Sequence, residues 1–377
     1  MHIDELIETY LYLTKSSPSI QKLSDRKQKA LTTINQDIFF RDIIVSTKDM
    51  NSLGESKNQT SQYLQPTKDR LNGHISSLFN VANEDHRANY CEKDFGGNFR
   101  LKPGKENHIT RLAMSEFSLY ISKPLSLMEY TALNNDILAM AATLEPNVHI
   151  LLSSFSVTDK QGQIVNMSIY VEGGEPPKMH SFSKNTASIV DVDYGNKSQL
   201  FTQQKIGSTT SKVDAITTDS GDNIYTGSVF EVQTVGGAVY TQTIDVCLDH
   251  VLGHSKDQIN RRISSTVAPD EIIPKQIEQC VTSAWVDLSV NSMIGDKVLH
   301  ADPIRSMHYN YNATLGGKTL NEDAKKRIVS SDFPQMSIMD NDSGYKVLNP
   351  PFGADYYIEV LAERPAGKYL PLHSKWR

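Results

Sequence analysis

The chain has 377 residues, of which 38% are hydrophobic and 22% charged, which supplies a core and excludes wholesale disorder or a fibrous protein. With 38 Lys and Arg against 44 Asp and Glu the net charge is −6, which argues against non-specific nucleic-acid binding, since that rests on basic surface. No apolar run approaches the roughly 18 residues of a membrane span.

The opening segment MHIDELIETYLYLTKSS carries acids early and lacks a basic stretch followed by an apolar one, so it does not read as a secretory signal. Residues 1–75 are rich in Lys, Ser, Gln and Asn. Ile3, Leu6, Ile7, Tyr10, Leu11 and Leu13 fall near helical spacing, and a second polar helix is expected over Ile20 to Ile34. Ile38–Ser46 is a candidate early strand, and Asn51–Lys68 reads as a polar loop or linker. This gives an N-terminal helical and polar extension over 1–75, followed by one large domain over 76–377.

From residue 76 strands and helices alternate. Ile109–Leu119 reads as a strand ending in a loop, Ser126–Leu144 as a helix closed by Pro146, and Val148–Val157 as a buried strand. The turn DKQGQ leads into a strand over Ile164–Glu172. Met179–Phe182 and Ala187–Val192 are short strand-like runs on either side of a lysine. Residues 195–228 are rich in Gly, Ser and Thr and read as a surface insertion. Val229–Val235 and Ala238–Val246 form a hairpin across Gly236-Gly237, and further strands are expected at Val281–Leu288 and Ser337–Met339. Such mixed alternation argues for an α/β or α+β sandwich.

Three cysteines, Cys91, Cys247 and Cys280, make no disulfide framework and match no zinc ribbon. Free thiols suit a reducing compartment, so the expected location is cytoplasmic, with export by a signal-independent route left open. Of the three, Cys247 has distinctive surroundings. It stands where the alternating strand of VFEVQTVGGAVYTQTIDVCLDH runs out, and a turn there can aim backbone N–H groups at an oxyanion. The ordinary reading of such a cysteine is packing. Glu116 in RLAMSEFSL would ordinarily be a surface carboxylate, and Lys184 in SFSKN a solvated loop lysine.

Taken in order, these segments resemble the carbon–nitrogen hydrolase (nitrilase) superfamily. RLAMSEFSL is similar to its glutamate-bearing strand end, NMSIYVEGGEPPKMHSFSKN to its lysine hairpin, and TIDVCLDH to its cysteine turn. VTSAWVDL and SIMDNDSGYKVL resemble the later strand and hairpin, so that the likeness spans roughly residues 105–360. The resemblance implies a four-layer α-β-β-α sandwich. It also implies a thiol-dependent hydrolase of carbon–nitrogen bonds, amide in preference to nitrile. Cys247 would be the nucleophile, Glu116 the base and Lys184 the oxyanion stabiliser, with the backbone N–H of Leu248 as a second oxyanion donor. No cofactor and no metal is implied. The expected partner is a small-molecule or peptide amide substrate, not a nucleic acid or a membrane, with a homodimer as the oligomer to consider.

The chain departs from that pattern in two respects. The family's second glutamate, expected after the lysine, has no clear counterpart, the nearest downstream acids being Asp191 and Asp193, and the 195–228 insertion lengthens the interval from Lys184 to Cys247. These departures favour the alternative, a non-catalytic or host-directed interaction protein that keeps the fold. A rival constellation is His250 and His254, four residues apart at metal-ligand spacing if helical. Gly253 weakens that helix, and no glutamate adjoins the first histidine.

Overall fold

A computed structural model describes residues 37–47, 68–116, 118–119, 124–160, 162, 164–186, 227–264, 276–283, 286, 288–302, 307–312, 317–320, 345–348 and 356–370. The expected helices before residue 35, the Asn51–Lys68 loop apart from Lys68, Ala187–Val192, nearly all of the 195–228 insertion and Ser337–Met339 lie outside these residues.

The described residues form a mixed α/β structure built on two large sheets. The first contains β1 (Phe39–Thr47), β4 (His108–Met114), β6 (Val148–Thr158), β7 (Ile164–Glu172), β8 (Lys178–Ser183), β15 (Tyr345–Leu348) and β16 (Tyr356–Val360). Their order is β15-β16-β1-β4-β6-β7-β8, with β5 (Leu125–Ser126) pairing β6 and β17 (Arg364–Pro365) pairing β1. The centre is parallel, Ile43 facing Leu112 and Leu112 facing Ile150, while β6, β7 and β8 form an antiparallel meander. The second sheet runs β14 (Gly317–Leu320), β13 (Met307–Asn312), β12 (Lys297–Ala301), β11 (Ile277–Thr282), β10 (Val239–Val246) and β9 (Val229–Gln233). A short hairpin, β2 (Cys91–Lys93) with β3 (Phe99–Leu101), stands apart.

Strand alternation sorts the side chains into layers, because successive residues point to opposite faces. In β4, Leu112 and Met114 join one core cluster while Ile109 and Ala113 join another; in β6, Ile150 and Leu152 part from Leu151 in the same way. The first cluster is completed by α1 (Lys68–Tyr90), through Leu71, Ile75, Leu78 and Phe79, and by α2 (Leu127–Ala141), through Tyr130, Leu133 and Ile137. The second lies between the sheets and includes Phe40, Tyr170, Phe182, Tyr240, Ile244, Val246 and Leu299. On the far side Ile259 of α4 (His254–Ser264) packs with Val229, Ile277 and Ile294. Helices therefore cover the outer faces of both sheets. Both faces of β4 are buried, as expected of a central parallel strand.

Helix α2 begins at a reciprocal cap. Ser126 accepts from the Glu129 backbone N–H through its side chain, and the Glu129 carboxylate accepts from the Ser126 backbone N–H at 2.7 Å.

Charge also joins the two sheets. Arg111 on β4 donates to Asp42 on β1 at 2.7 Å, to Glu278 on β11 at 3.0 Å and to Gln242 on β10 at 3.2 Å. Arg364 on β17 donates to both Glu278 oxygens at 2.8 Å and to Asp42 at 3.2 Å. Two guanidinium groups thus meet two carboxylates away from solvent, and the Arg111 guanidinium lies 4.4 Å from the centre of the Phe40 ring.

The structure alters two features of the sequence reading. The strand expected over Val281–Leu288 is β11, Ile277–Thr282, paired in parallel with β10 and β12. Beyond Thr282 the Ser283 N–H still bonds to Ala301 on β12, but its carbonyl accepts from the backbone of Glu116 in the other sheet. The boundary placed between residues 75 and 76 falls inside α1, and β1 sits between β16 and β4 in the first sheet. Among the described residues no helix is long and apolar enough to cross a membrane.

Candidate active site

Glu116, Lys184 and Cys247 each follow a strand. Glu116 stands two residues beyond β4, Lys184 directly follows β8, and Cys247 directly follows β10. The first two therefore come from the first sheet and the cysteine from the second. All three are at most 1% exposed.

Glu116 and Lys184 form a buried ion pair. Lys184 Nζ donates to Glu116 Oε1 at 3.0 Å, and Asn166 Nδ2 on β7 donates to the same oxygen at 3.1 Å. The lysine backbone N–H also donates to the Asn166 carbonyl at 2.8 Å, so Asn166 holds both partners. Removing either charge would take a hydrogen-bonded counter-ion from the other while it stays buried.

Cys247 reaches this pair through the end of β11. Its N–H donates to the Thr282 carbonyl at 2.8 Å, and the next carbonyl, that of Ser283, accepts from the Glu116 backbone at 3.3 Å. Thr282 Oγ1 donates to the Met114 carbonyl at 2.8 Å, and the Thr282 and Ser153 hydroxyls are 3.0 Å apart. Adjacent residues of one strand end thus bracket both the cysteine turn and the glutamate turn.

The cysteine backbone is strained. Cys247 has φ 54° and ψ −113°, a region in which a side chain with a Cβ is rarely found. It forms the corner between β10 and the short helix α3 (Leu248–Val251), the kind of strand-to-helix elbow that lifts a nucleophile out of a sheet. Leu248 opens α3, the position from which its backbone N–H was expected to serve an oxyanion.

Sequence reasoning did not select Asp249. It is 2% exposed, and its Oδ2 accepts from the Asn185 backbone N–H at 2.8 Å and from Asn185 Nδ2 at 3.2 Å. Burial pushes its carboxyl up to about 7, against the opposing pull of that N–H and of the Lys184 ammonium. The only sequence signal was its place two residues after Cys247.

The histidine pair separates. His250 lies in α3, and its Nε2 accepts from the Ser289 backbone N–H at 3.0 Å, which leaves Nδ1 to donate to Asp245 at 3.3 Å. His254 lies beyond Gly253 in α4, its Nε2 2.7 Å from Thr186 Oγ1. Gly253, at φ 71°, breaks the single helix that metal-ligand spacing required. Among the described residues no group of three or more His, Cys, Asp or Glu side chains is placed to hold a metal ion. Of the remaining thiols, Cys280 faces Gln242 at 3.3 Å, and burial pushes it up to about 11; Cys91 begins β2.

No protein-family model matches the chain, and no curated protein matches it in sequence. Among solved structures it is similar to a crystal structure of N-terminal amidase, at 8% identity and a TM-score of 0.29 over 66% of this chain and 49% of that one. A second, of N-terminal amidase with a Gln-Gly peptide, gives 6% identity and a TM-score of 0.30 over 66% and 48%. The match spans about half the length of those proteins. At these values the likeness bears on neither fold, activity nor substrate.

Proposed function

We propose that this protein is a thiol-dependent hydrolase of carbon–nitrogen bonds, acting on an amide in preference to a nitrile, on a nitrilase-like α-β-β-α sandwich. The observation that carries the reading is the junction of a buried Glu116–Lys184 pair with a strained cysteine elbow through Thr282, the last residue of β11, and Ser283 after it. A thiol attacks only as thiolate and needs a neighbouring base or positive charge. In the proposed mechanism Glu116 takes the Cys247 proton and the thiolate adds to the amide carbonyl. The Lys184 ammonium and the Leu248 N–H stabilise the resulting oxyanion. Collapse expels the amine, which takes its proton from Glu116, and leaves a thioester. Glu116 then deprotonates water to hydrolyse it. No cofactor enters these steps.

A second reading, a non-catalytic interaction protein, is favoured by one observation: all three side chains are withdrawn from solvent. Trapping with reactive amides and thioesters separates the two. The hydrolase reading expects a covalent adduct at Cys247 by intact mass, lost in Cys247→Ser because a hydroxyl titrates far above a thiol. Undiminished amide hydrolysis by Cys247→Ser, or no adduct in wild type with any acyl donor, would overturn it.

A further inference from the structure

Two segments from different sheets are stitched together beside the ion pair: Lys184–Thr186 after β8, and Cys247–His254 after β10. Asn185 gives both its backbone N–H and its side-chain Nδ2 to one oxygen of Asp249, at 2.8 and 3.2 Å. One residue further, Thr186 Oγ1 meets His254 Nε2 at 2.7 Å, and that nitrogen lies 3.9 Å from the other Asp249 oxygen. Asp249 therefore grips the residue that follows Lys184 while standing two residues after Cys247.

We propose that Asp249 is a positioning residue whose carboxylate sets the Lys184 ammonium relative to the Cys247 thiol. This rests on the reading of Glu116, Lys184 and Cys247 as the reacting set. The Asn185–Asp249 contact needs an acceptor aimed back from α3, and a side chain two residues into that turn supplies it. The groups that face Asp249 are Lys184 after β8, Asp245 on β10 and His254 on α4, with Glu116 on the far side of Lys184 and His250 bonded to Asp245. Burial of this carboxyl raises the cost of its charge near neutral pH.

The test is the rate at which iodoacetamide alkylates each thiol of the full chain, read by peptide mass spectrometry. Cys247 and Cys280 are equally buried, each 1% exposed, so static exposure does not separate them. In wild type Cys247 should label much faster than Cys280 and Cys91. Asp249→Asn should slow Cys247 by about tenfold, the effect of a one-unit rise in thiol pKa when the ammonium is displaced, and leave Cys91 and Cys280 unchanged. Asp249→Glu, which restores a carboxylate, should recover part of the rate. A loosened fold would instead speed all three thiols. If wild-type Cys247 is no faster than Cys280, the catalytic reading fails before any variant is made. If it is fast and Asp249→Asn matches it, the positioning proposal alone is overturned. Should Asp249→Asn not fold, the measurement passes to Asn185→Ala, and a wild-type Cys247 rate in that variant overturns the proposal.

Discussion

Lys184 Nζ donates to Glu116 Oε1 at 3.0 Å across a separation of 68 residues, with neither side chain in contact with solvent. Such a pair is costly to assemble and more costly to halve, because a lone buried charge has nothing to offset its lost hydration.

Lys184→Ala is therefore expected to lose about 3–5 kcal/mol of stability by urea unfolding, and to slow amide turnover by roughly 10²–10³-fold where it still folds. The double variant Lys184→Met with Glu116→Gln removes both charges and should recover most of the stability and none of the rate. A Lys184→Ala protein as stable as wild type would show that the pair is not buried in solution.

The Cys247 elbow gives a test that needs no substrate. At φ 54° a Cβ is strained, and glycine is not. Cys247→Ala and Cys247→Gly both remove the sulfur, so their difference isolates the backbone. Cys247→Gly should be the more stable by about 1–2 kcal/mol, even though glycine usually loses to alanine through chain entropy. The opposite order would place Cys247 in an ordinary conformation.

Much of the fold could be read in the sequence where side-chain period and type agree. Val148–Thr158 and Ile164–Glu172 each carry one apolar row packed with α1 and α2, opposite a more polar row from which Leu151 and Tyr170 join the cluster between the sheets, and both were legible as strands. β11 was misplaced because Glu278 and Gln279 interrupt its apolar pattern. The structure buries both by pairing them, Glu278 with Arg111 and Arg364, and Gln279 with Asp245. Partners 167, 86 and 34 residues away leave no local trace. Glu116, Lys184 and Cys247 could be picked out only by order and by their place after strands. Asp249 escaped because its bond is to Asn185, 64 residues away, and not to its neighbours in the chain.

The buried charge cluster should behave as one unit. Arg111→Met takes a donor from Asp42, Glu278 and Gln242 at once, and Arg364 alone then faces two carboxylates. A loss of about 3–5 kcal/mol is expected. Adding Glu278→Gln to Arg111→Met restores charge balance and should return part of it, so the two effects should be less than additive in a double-mutant cycle. Strict additivity would mean that the two groups do not interact.

Asp249 predicts a pH dependence with a definite sign. Its carboxyl is raised from 3.8 to about 7 in the folded protein, so the folded state holds a proton that the unfolded chain releases. The stability this contributes is complete below pH 4 and is lost as pH rises through about 7. At roughly 1.4 kcal/mol per unit the loss is on the order of 4 kcal/mol. Asparagine cannot ionise and escapes this loss. The difference between Asp249→Asn and wild type should therefore be small near pH 4 and should grow in favour of the variant up to pH 8. The buried histidines, whose burial lowers their pKa, titrate in both proteins and cancel in the difference. Urea unfolding of the pair at intervals from pH 4 to 8 reads it directly. A difference that stays flat with pH would mean that Asp249 is ionised at its ordinary pKa. A wild type gaining on the variant as pH rises would mean that Lys184 and Asn185 stabilise the carboxylate by more than burial costs it.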